Sequence, residues 1–183
     1  LAGGQIDDGD QTTLMLWSSE DGESWTAVDA PGLDETDTEE TSERLVSLAV
    51  IDDTVLVVRE AIGLDDSALT LLRSDGDGGF TALEPTGLDE LDLPNTDIIP
   101  GVTAVGDLFV MLASVPTEGG EEFGERTPAL FTSPDGETWE TTELDGPLLA
   151  DPYFVQAITA TDGGAVAVAE GVNGLDVWRF TDD

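Results

Sequence analysis

The sequence predicts an all-β fold, a β-propeller of four-stranded antiparallel blades with about four blades here or an arc of a larger ring. Three observations carry this. Short apolar and β-branched runs alternate with turn residues along the chain, and no stretch sustains a 3.6-residue period, so helix should be close to absent. The stretch Ser19-Glu20-Asp21-Gly22-Glu23-Ser24-Trp25 returns as Ser133-Pro134-Asp135-Gly136-Glu137-Thr138-Trp139, with a worn copy, Ser74-Asp75-Gly76-Asp77-Gly78-Gly79-Phe80, between them. Aligned on the final aromatic, the copies step by 55 and then 59 residues, and Phe131 to Phe180 steps by 49. Periods of this order with four strands each mark propeller blades, lengthened here by acidic loops.

Each copy has the chemistry of a strand–turn–strand clip. Asp and Ser side chains accept hydrogen bonds from backbone amides just ahead of them, and Gly supplies the positive φ of a tight turn. The aromatic re-enters the next strand and packs over the bend, adding a large buried area. The shared pattern, Ser-x-Asp-Gly-x-Ser/Thr-Trp, resembles the Asp-box (BNR) repeat of β-propellers of the sialidase, sortilin-type receptor, photosystem-assembly-factor and xyloglucanase kinds. It has one residue fewer between Asp and Trp than the commonest form. Ser19, Asp21, Gly22 and Trp25 match its positions, as do Ser133, Asp135, Gly136 and Trp139. In the middle copy Ser74 and Phe80 match, but Gly76 stands where the Asp belongs.

In chain order, Leu1 to Gly4 is small and apolar, and Asp7–Gln11 is a turn-rich loop. Thr12–Ser19 is the strand entering the first clip and Ser24–Asp29 the strand leaving it. An acidic loop, Ala30–Ser42, leads to Leu45–Ile51 and Val55–Glu60, two β-branched runs joined by the tight turn Asp52-Asp53. Ala68–Ser74 enters the second clip and Phe80–Glu84 leaves it. After the loop Leu88–Asp97 come strands Ile98–Val105 and Leu108–Ser114 about Gly106-Asp107, then Pro128–Ser133 and Thr138–Leu144 around the third clip. Phe154–Ala160, a turn at Asp162-Gly163-Gly164, Ala165–Glu170 and Leu175–Thr181 make the last round. Labelled A to D within each repeat, the strands read (B)-C-D, A-B-C-D, A-B-C-D, A-B-C. A single domain with blade repeats at about 1–29, 45–84, 98–144 and 154–181 follows. Because an open arc leaves bare strand edges, a gene longer at its N-terminus is expected.

Composition narrows the function. The 41 Asp and Glu residues face only five basic ones, all Arg, for a net charge of −36. Phosphate backbones and anionic lipid surfaces find nothing to pair with on such a chain, so nucleic acid and membrane insertion are not expected. Self-repulsion of this size is screened in strong salt, which points to a halophilic, marine or secreted protein at the cell surface or outside the cell. With no Cys and no His, disulfides, thiolate chemistry, the usual zinc ligand sets and every Ser-His or Cys-His nucleophile are excluded. No apolar run reaches the ~18 residues of a membrane helix.

Candidate chemistry is sparse. Asp21 and Asp135 could bind a ligand or metal, but Asp and Gly are the residue types the turn itself requires, and turn capping is the expected role. The sialidase resemblance implies an arginine triad and a Tyr nucleophile, to be drawn from Arg44, Arg59, Arg73, Arg126, Arg179 and Tyr153. Among clustered acids, arginines are expected to neutralise carboxylates instead. Two-carboxylate glycoside hydrolysis needs only a separation of ~5 or ~6.5–9.5 Å, and Glu60 and Glu170 are the most core-adjacent acids. Calcium is the one cofactor the residue types suit: Asp75 and Asp77, and Asp8 and Asp10, resemble the opening of calcium loops but lack the bidentate Glu twelve positions on. The expected role is a non-catalytic extracellular or cell-surface module that binds or scaffolds a protein or carbohydrate. The alternatives are a glycoside hydrolase of the sialidase or xyloglucanase kind and a structural subunit of a larger surface assembly.

Overall fold

A computed structural model describes residues 1–7, 12–33, 42–62, 67–75, 77–91, 101–116, 126–143, 154–171 and 174–181. Their strands are β1 (Ala2–Asp7), β2 (Thr12–Ser18), β3 (Thr26–Val28), β4 (Ser42–Ile51), β5 (Thr54–Ile62), β6 (Ser67–Ser74), β7 (Phe80–Ala82), β8 (Gly101–Val105), β9 (Leu108–Pro116), β10 (Arg126–Ser133), β11 (Glu140–Glu143), β12 (Phe154–Thr161), β13 (Gly164–Gly171) and β14 (Gly174–Thr181). Among the described residues the one helical piece is a 3-10 turn at Asp89–Leu91. Sequence neighbours pair antiparallel into four sheets: β1-β2-β3, β4-β5-β6-β7, β8-β9-β10-β11 and β12-β13-β14, here blades 1 to 4. The first strands of successive blades meet, β4 against β8 and β8 against β12, so they form the hub and the short fourth strands lie at the rim. This is a β-propeller architecture.

The sequence reading differs from this in one strand. Ala2–Asp7 is a full second strand, paired from Ala2↔Trp17 to Asp7↔Thr12. Its glycines conceal the β pattern, and one of them has a packing reason: a Cβ on Gly3 would lie 2.6 Å from a methyl of Leu45 in blade 2.

Because every strand reverses direction, the A–B hairpins and the C–D clips lie at one end of the blades. The B–C and D–A connections leave from the other end. The A–B turns are two-residue loops, Ile51↔Thr54, Val105↔Leu108 and Thr161↔Gly164. Asp52 takes a positive φ of 50° in the first, which Asp tolerates better than most side chains.

Two apolar layers join the blades. Leu14, Leu16, Leu33, Val57, Leu72 and Phe80 fill the space between blades 1 and 2. Leu56, Val58, Leu71, Phe109, Met111, Phe131 and Trp139 fill the space between blades 2 and 3. Strand β5 serves both layers, since alternate residues face opposite sides. That is why Val55–Val58 is an unbroken apolar run: Leu56, Val57 and Val58 are all fully buried, each contributing roughly 1.5–3 kcal/mol of transfer free energy.

At the hub the joints are made by small residues. The Ser47 hydroxyl donates to the Val102 carbonyl at 3.1 Å and accepts the Val102 amide at 3.0 Å. One blade further on, Gly101 occupies the equivalent place, and a Cβ there would lie 2.9 Å from Ile158 Cγ2.

Candidate functional site

The clips are built alike. Asp21 Oδ1 accepts the amides of Glu23 at 2.8 Å and Ser24 at 2.7 Å and the Ser19 hydroxyl at 3.0 Å. The Ser19 hydroxyl itself accepts the Gly22 amide at 2.8 Å, and the Trp25 indole donates to the Gly22 carbonyl at 3.3 Å. In the third clip Asp135 Oδ1 accepts Glu137 N at 2.8 Å, Thr138 N at 2.9 Å and the Ser133 hydroxyl at 3.1 Å. Ser133 Oγ accepts the Gly136 amide at 2.8 Å, and the Trp139 indole donates to Gly136 O at 2.9 Å. Backbone amides aimed at a carboxylate favour its charged form. They lower the Asp21 pKa to about 2 and hold Asp135 below the ordinary carboxylate value. The geometry of both aspartates is that of turn caps.

The middle clip, in which Gly76 holds the motif's Asp position, still closes on a carboxylate. Its carboxylate comes from Asp75, one residue earlier than the pattern places it. Asp75 Oδ1 accepts the amides of Asp77 at 3.0 Å and Gly79 at 2.8 Å, and the Asp75 amide donates to Gly79 O at 2.8 Å. Ser74 turns away to accept the Val55 amide at 2.8 Å. Asp75 is therefore committed to the turn; Asp8 and Asp10 lie outside the described residues.

Two of the clips are also clasped from the preceding blade. After β3 the chain lays Pro31-Gly32-Leu33 across Phe80, with Phe80 N donating to Pro31 O. After β7 it lays Thr86-Gly87-Leu88 across Trp139: Trp139 N donates to Thr86 O at 3.0 Å and Thr86 N to Glu137 O at 2.9 Å. Both Gly32 and Gly87 have positive φ, and a Cβ on either would meet the carbonyl oxygen of the clasped aromatic residue. Leu33 and Leu88 are buried beneath the clasp. Arg73 adds a further grip on the third clip, donating to Asp135 O at 3.0 Å and pairing with Glu137 at 2.6 Å. A groove of about 430 Å³ runs beside it, lined by Arg73, Asp75, Leu83, Glu84 and Glu137.

Trp25 is the exception to the expected packing. It is 48% exposed, against 4% for Trp139 and 8% for Phe80. Its own turn is intact, so the difference lies in the clasp: the burial comes from the neighbouring blade and not from the bend.

At the opposite end, blade 2 carries charge inside the protein. Glu43, Arg59 and Glu60 are buried. Arg59 Nη1 lies 3.7 Å from Glu43 and donates to the Leu33 carbonyl at 3.2 Å, so this pair faces blade 1. Arg44 pairs with Glu60, its cross-strand neighbour, on the other face of the sheet. In register, Arg59 stands where blades 3 and 4 have Ala113 and Ala169, and Glu60 where they have Ser114 and Glu170. Sequence reasoning singled out Glu60 and expected an arginine partner but missed Glu43, which the sequence joins to the acidic run before β4. The arginines do not converge: Arg44, Arg59 and Arg73 serve three separate contacts, and Arg179 is exposed on β14. The side chains of Arg126, Tyr153 and Glu170 lie outside the described residues. Among the described residues no group of three acids converges as metal ligands would.

No protein-family model and no curated protein matches the sequence. Among solved structures the chain is similar to a GH32 β-fructofuranosidase from Bombyx mori, at 13% identity and a TM-score of 0.46, covering 98% of this chain and 42% of that one. It is similar also to a GH43 endo-arabinanase from Bacillus licheniformis, at 12% identity and a TM-score of 0.45, covering 97% of this chain and 67% of that one. A glycosyl hydrolase from Bacteroides ovatus gives 15% identity and a TM-score of 0.44 over 78% of this chain and 47% of that one. This chain thus spans less than half the length of the first of these. The blade assignment rests on the sheets themselves, and no activity passes to this chain from likeness of this degree.

Proposed function

We propose that this chain is part of an Asp-box propeller acting as a non-catalytic binding or scaffolding module at the cell surface or outside the cell. The observation that supports the reading is how the buried charges are used. Each arginine with a described partner is committed to a structural contact, and the two carboxylates buried among the described residues, Glu43 and Glu60, face opposite sides of one sheet. Carboxylates so placed do not flank a common substrate bond, which glycoside hydrolysis requires. Support for the repeat family comes from the clips, where Ser, Asp, Gly and Trp each hold the backbone group that the motif assigns them.

One observation favours a second reading, a glycoside hydrolase. The Glu43, Arg44, Arg59 and Glu60 set puts charge in blade 2 where blade 3 has Ala113 and Ser114, and departures from local rules concentrate at functional sites. Both readings are tested by one experiment. The chain is assayed for release of reducing sugar from sucrose, arabinan and a panel of aryl glycosides, and in parallel for retention on glycan and protein arrays. The binding reading expects retention without turnover. Hydrolysis that disappears in E43Q or E60Q variants that still fold would overturn it and install the hydrolase.

A further inference from the structure

The three clips differ in one respect that their sequences do not explain. Phe80 and Trp139 are covered by a segment from the preceding blade, whereas Trp25 presents the same fold of backbone to open space. Around Gly136 the preceding blade closes in, so that a Cβ there would sit 2.9 Å from Leu56 and 3.5 Å from Leu83, while Gly22 has nothing within 4 Å. In register, Trp17 of blade 1 corresponds to Leu72 and Phe131, which are fully buried, yet Trp17 is only half-buried. A preformed acceptor is therefore present, with Trp25 half-exposed and Trp17 part-exposed on the same clip.

We propose that the Trp17–Trp25 face of the first clip is a docking site for an extended peptide strand carrying a Gly-Leu step, supplied by another propeller blade. The two occupied clips define the occupant. The residue before the Gly lends its carbonyl to the amide of the clip's aromatic, as Pro31 does to Phe80 and Thr86 to Trp139. Where that residue has an N–H, as Thr86 does, it donates to the carbonyl two residues before the aromatic, the position Glu23 holds in the first clip. The Gly takes positive φ because its Cα presses on the aromatic residue's carbonyl, which no side chain permits. The Leu then enters the apolar layer behind the aromatic. Pro31-Gly32-Leu33-Asp34 and Thr86-Gly87-Leu88-Asp89 are two written versions of this ligand within the chain itself. Recognition is of the strand-addition kind: main-chain hydrogen bonds supply the attachment, and the Gly and Leu supply the specificity.

The test uses the whole chain and a synthetic peptide with the sequence of residues 81–91, Thr-Ala-Leu-Glu-Pro-Thr-Gly-Leu-Asp-Glu-Leu. Tryptophan emission is followed during titration of the native chain and of W25F, with amide chemical shifts of Glu23 and Trp25 as a second readout. The expected result is a saturable blue shift that W25F lacks, with shifts confined to the first clip. A peptide bearing Gly87→Ala is expected to bind about tenfold more weakly or worse. Absence of any saturable change at millimolar peptide, or equal binding of the Gly and Ala peptides, overturns the proposal. So does a blue shift that grows with protein concentration alone and accompanies dimerisation in sedimentation, which assigns the face to a second copy.

Discussion

At the scale of single residues, the clip aspartates show how one carboxylate organises a bend. Asp135 satisfies two amides and a hydroxyl at once, in a partly buried setting. Truncation by D135A is expected to cost about 1–2 kcal/mol, the range measured when a side chain capping backbone amides is removed, read as a lower urea midpoint at constant slope. The pH dependence has a definite sign. A carboxyl whose folded pKa is depressed contributes stability above its unfolded value and loses it as pH falls through the folded one. For Asp21 the window runs from the ordinary aspartate value of 3.8 down to about 2, and carboxyl carbon shifts across that range should place its titration near the lower limit. The aromatic ends of the clips diverge. W139A removes a buried indole and should cost about 3–5 kcal/mol, whereas W25A, at a half-exposed site, should cost well under half of that in the same unfolding experiment. The sequence made Asp21 and Asp135 legible because their side chains act on amides two and three positions ahead. It left the middle turn without a carboxylate, because Gly76 holds the motif position and Asp75 reaches the amides of Asp77 and Gly79 from one residue earlier.

At the scale of elements, the strands entering the clips and the two-residue hairpins followed from alternation and turn chemistry, and β5 from its unbroken apolar run. The strand Ala2–Asp7 did not, because two consecutive glycines, Gly3 and Gly4, carry no face to read. The clasps were equally hidden. Pro31-Gly32-Leu33 and Thr86-Gly87-Leu88 read as ordinary loop sequence, and only their meeting with the next blade's aromatic gives the glycines a purpose. That meeting yields a comparison. G87A combines a left-handed backbone with a Cβ placed on the Trp139 carbonyl, and is expected to destabilise by more than about 2 kcal/mol. G22A shares the left-handed backbone but projects into open space, and should cost only the ~1–2 kcal/mol of that conformation. Thermal unfolding of the pair separates the two contributions.

At the scale of the whole molecule, the charge of −36 opposes compaction everywhere at once. The Debye length shrinks from about 10 Å at 0.1 M to about 3 Å at 1 M salt, so the melting temperature should climb as sodium chloride is raised over that range. An equal osmolality of a neutral sugar should raise it far less, and a flat salt response would count against the halophilic expectation. Among the described residues blade 2 concentrates the interior charge, and no repeat pattern announced it: Glu43 and Arg59 are separated by a hairpin, and their pairing exists only once β4 and β5 are in register.

The Ser47 hydroxyl at the hub has a further consequence. Strand β8 is the innermost of its sheet, and its amide and carbonyl at Val102 are buried against β4 of the preceding blade, where no sheet partner meets them. One serine occupies both groups simultaneously. Replacing it with alanine would strand both groups without a partner in the buried joint between blades 2 and 3, so one small hydroxyl keeps that seam polar on the inside and closed.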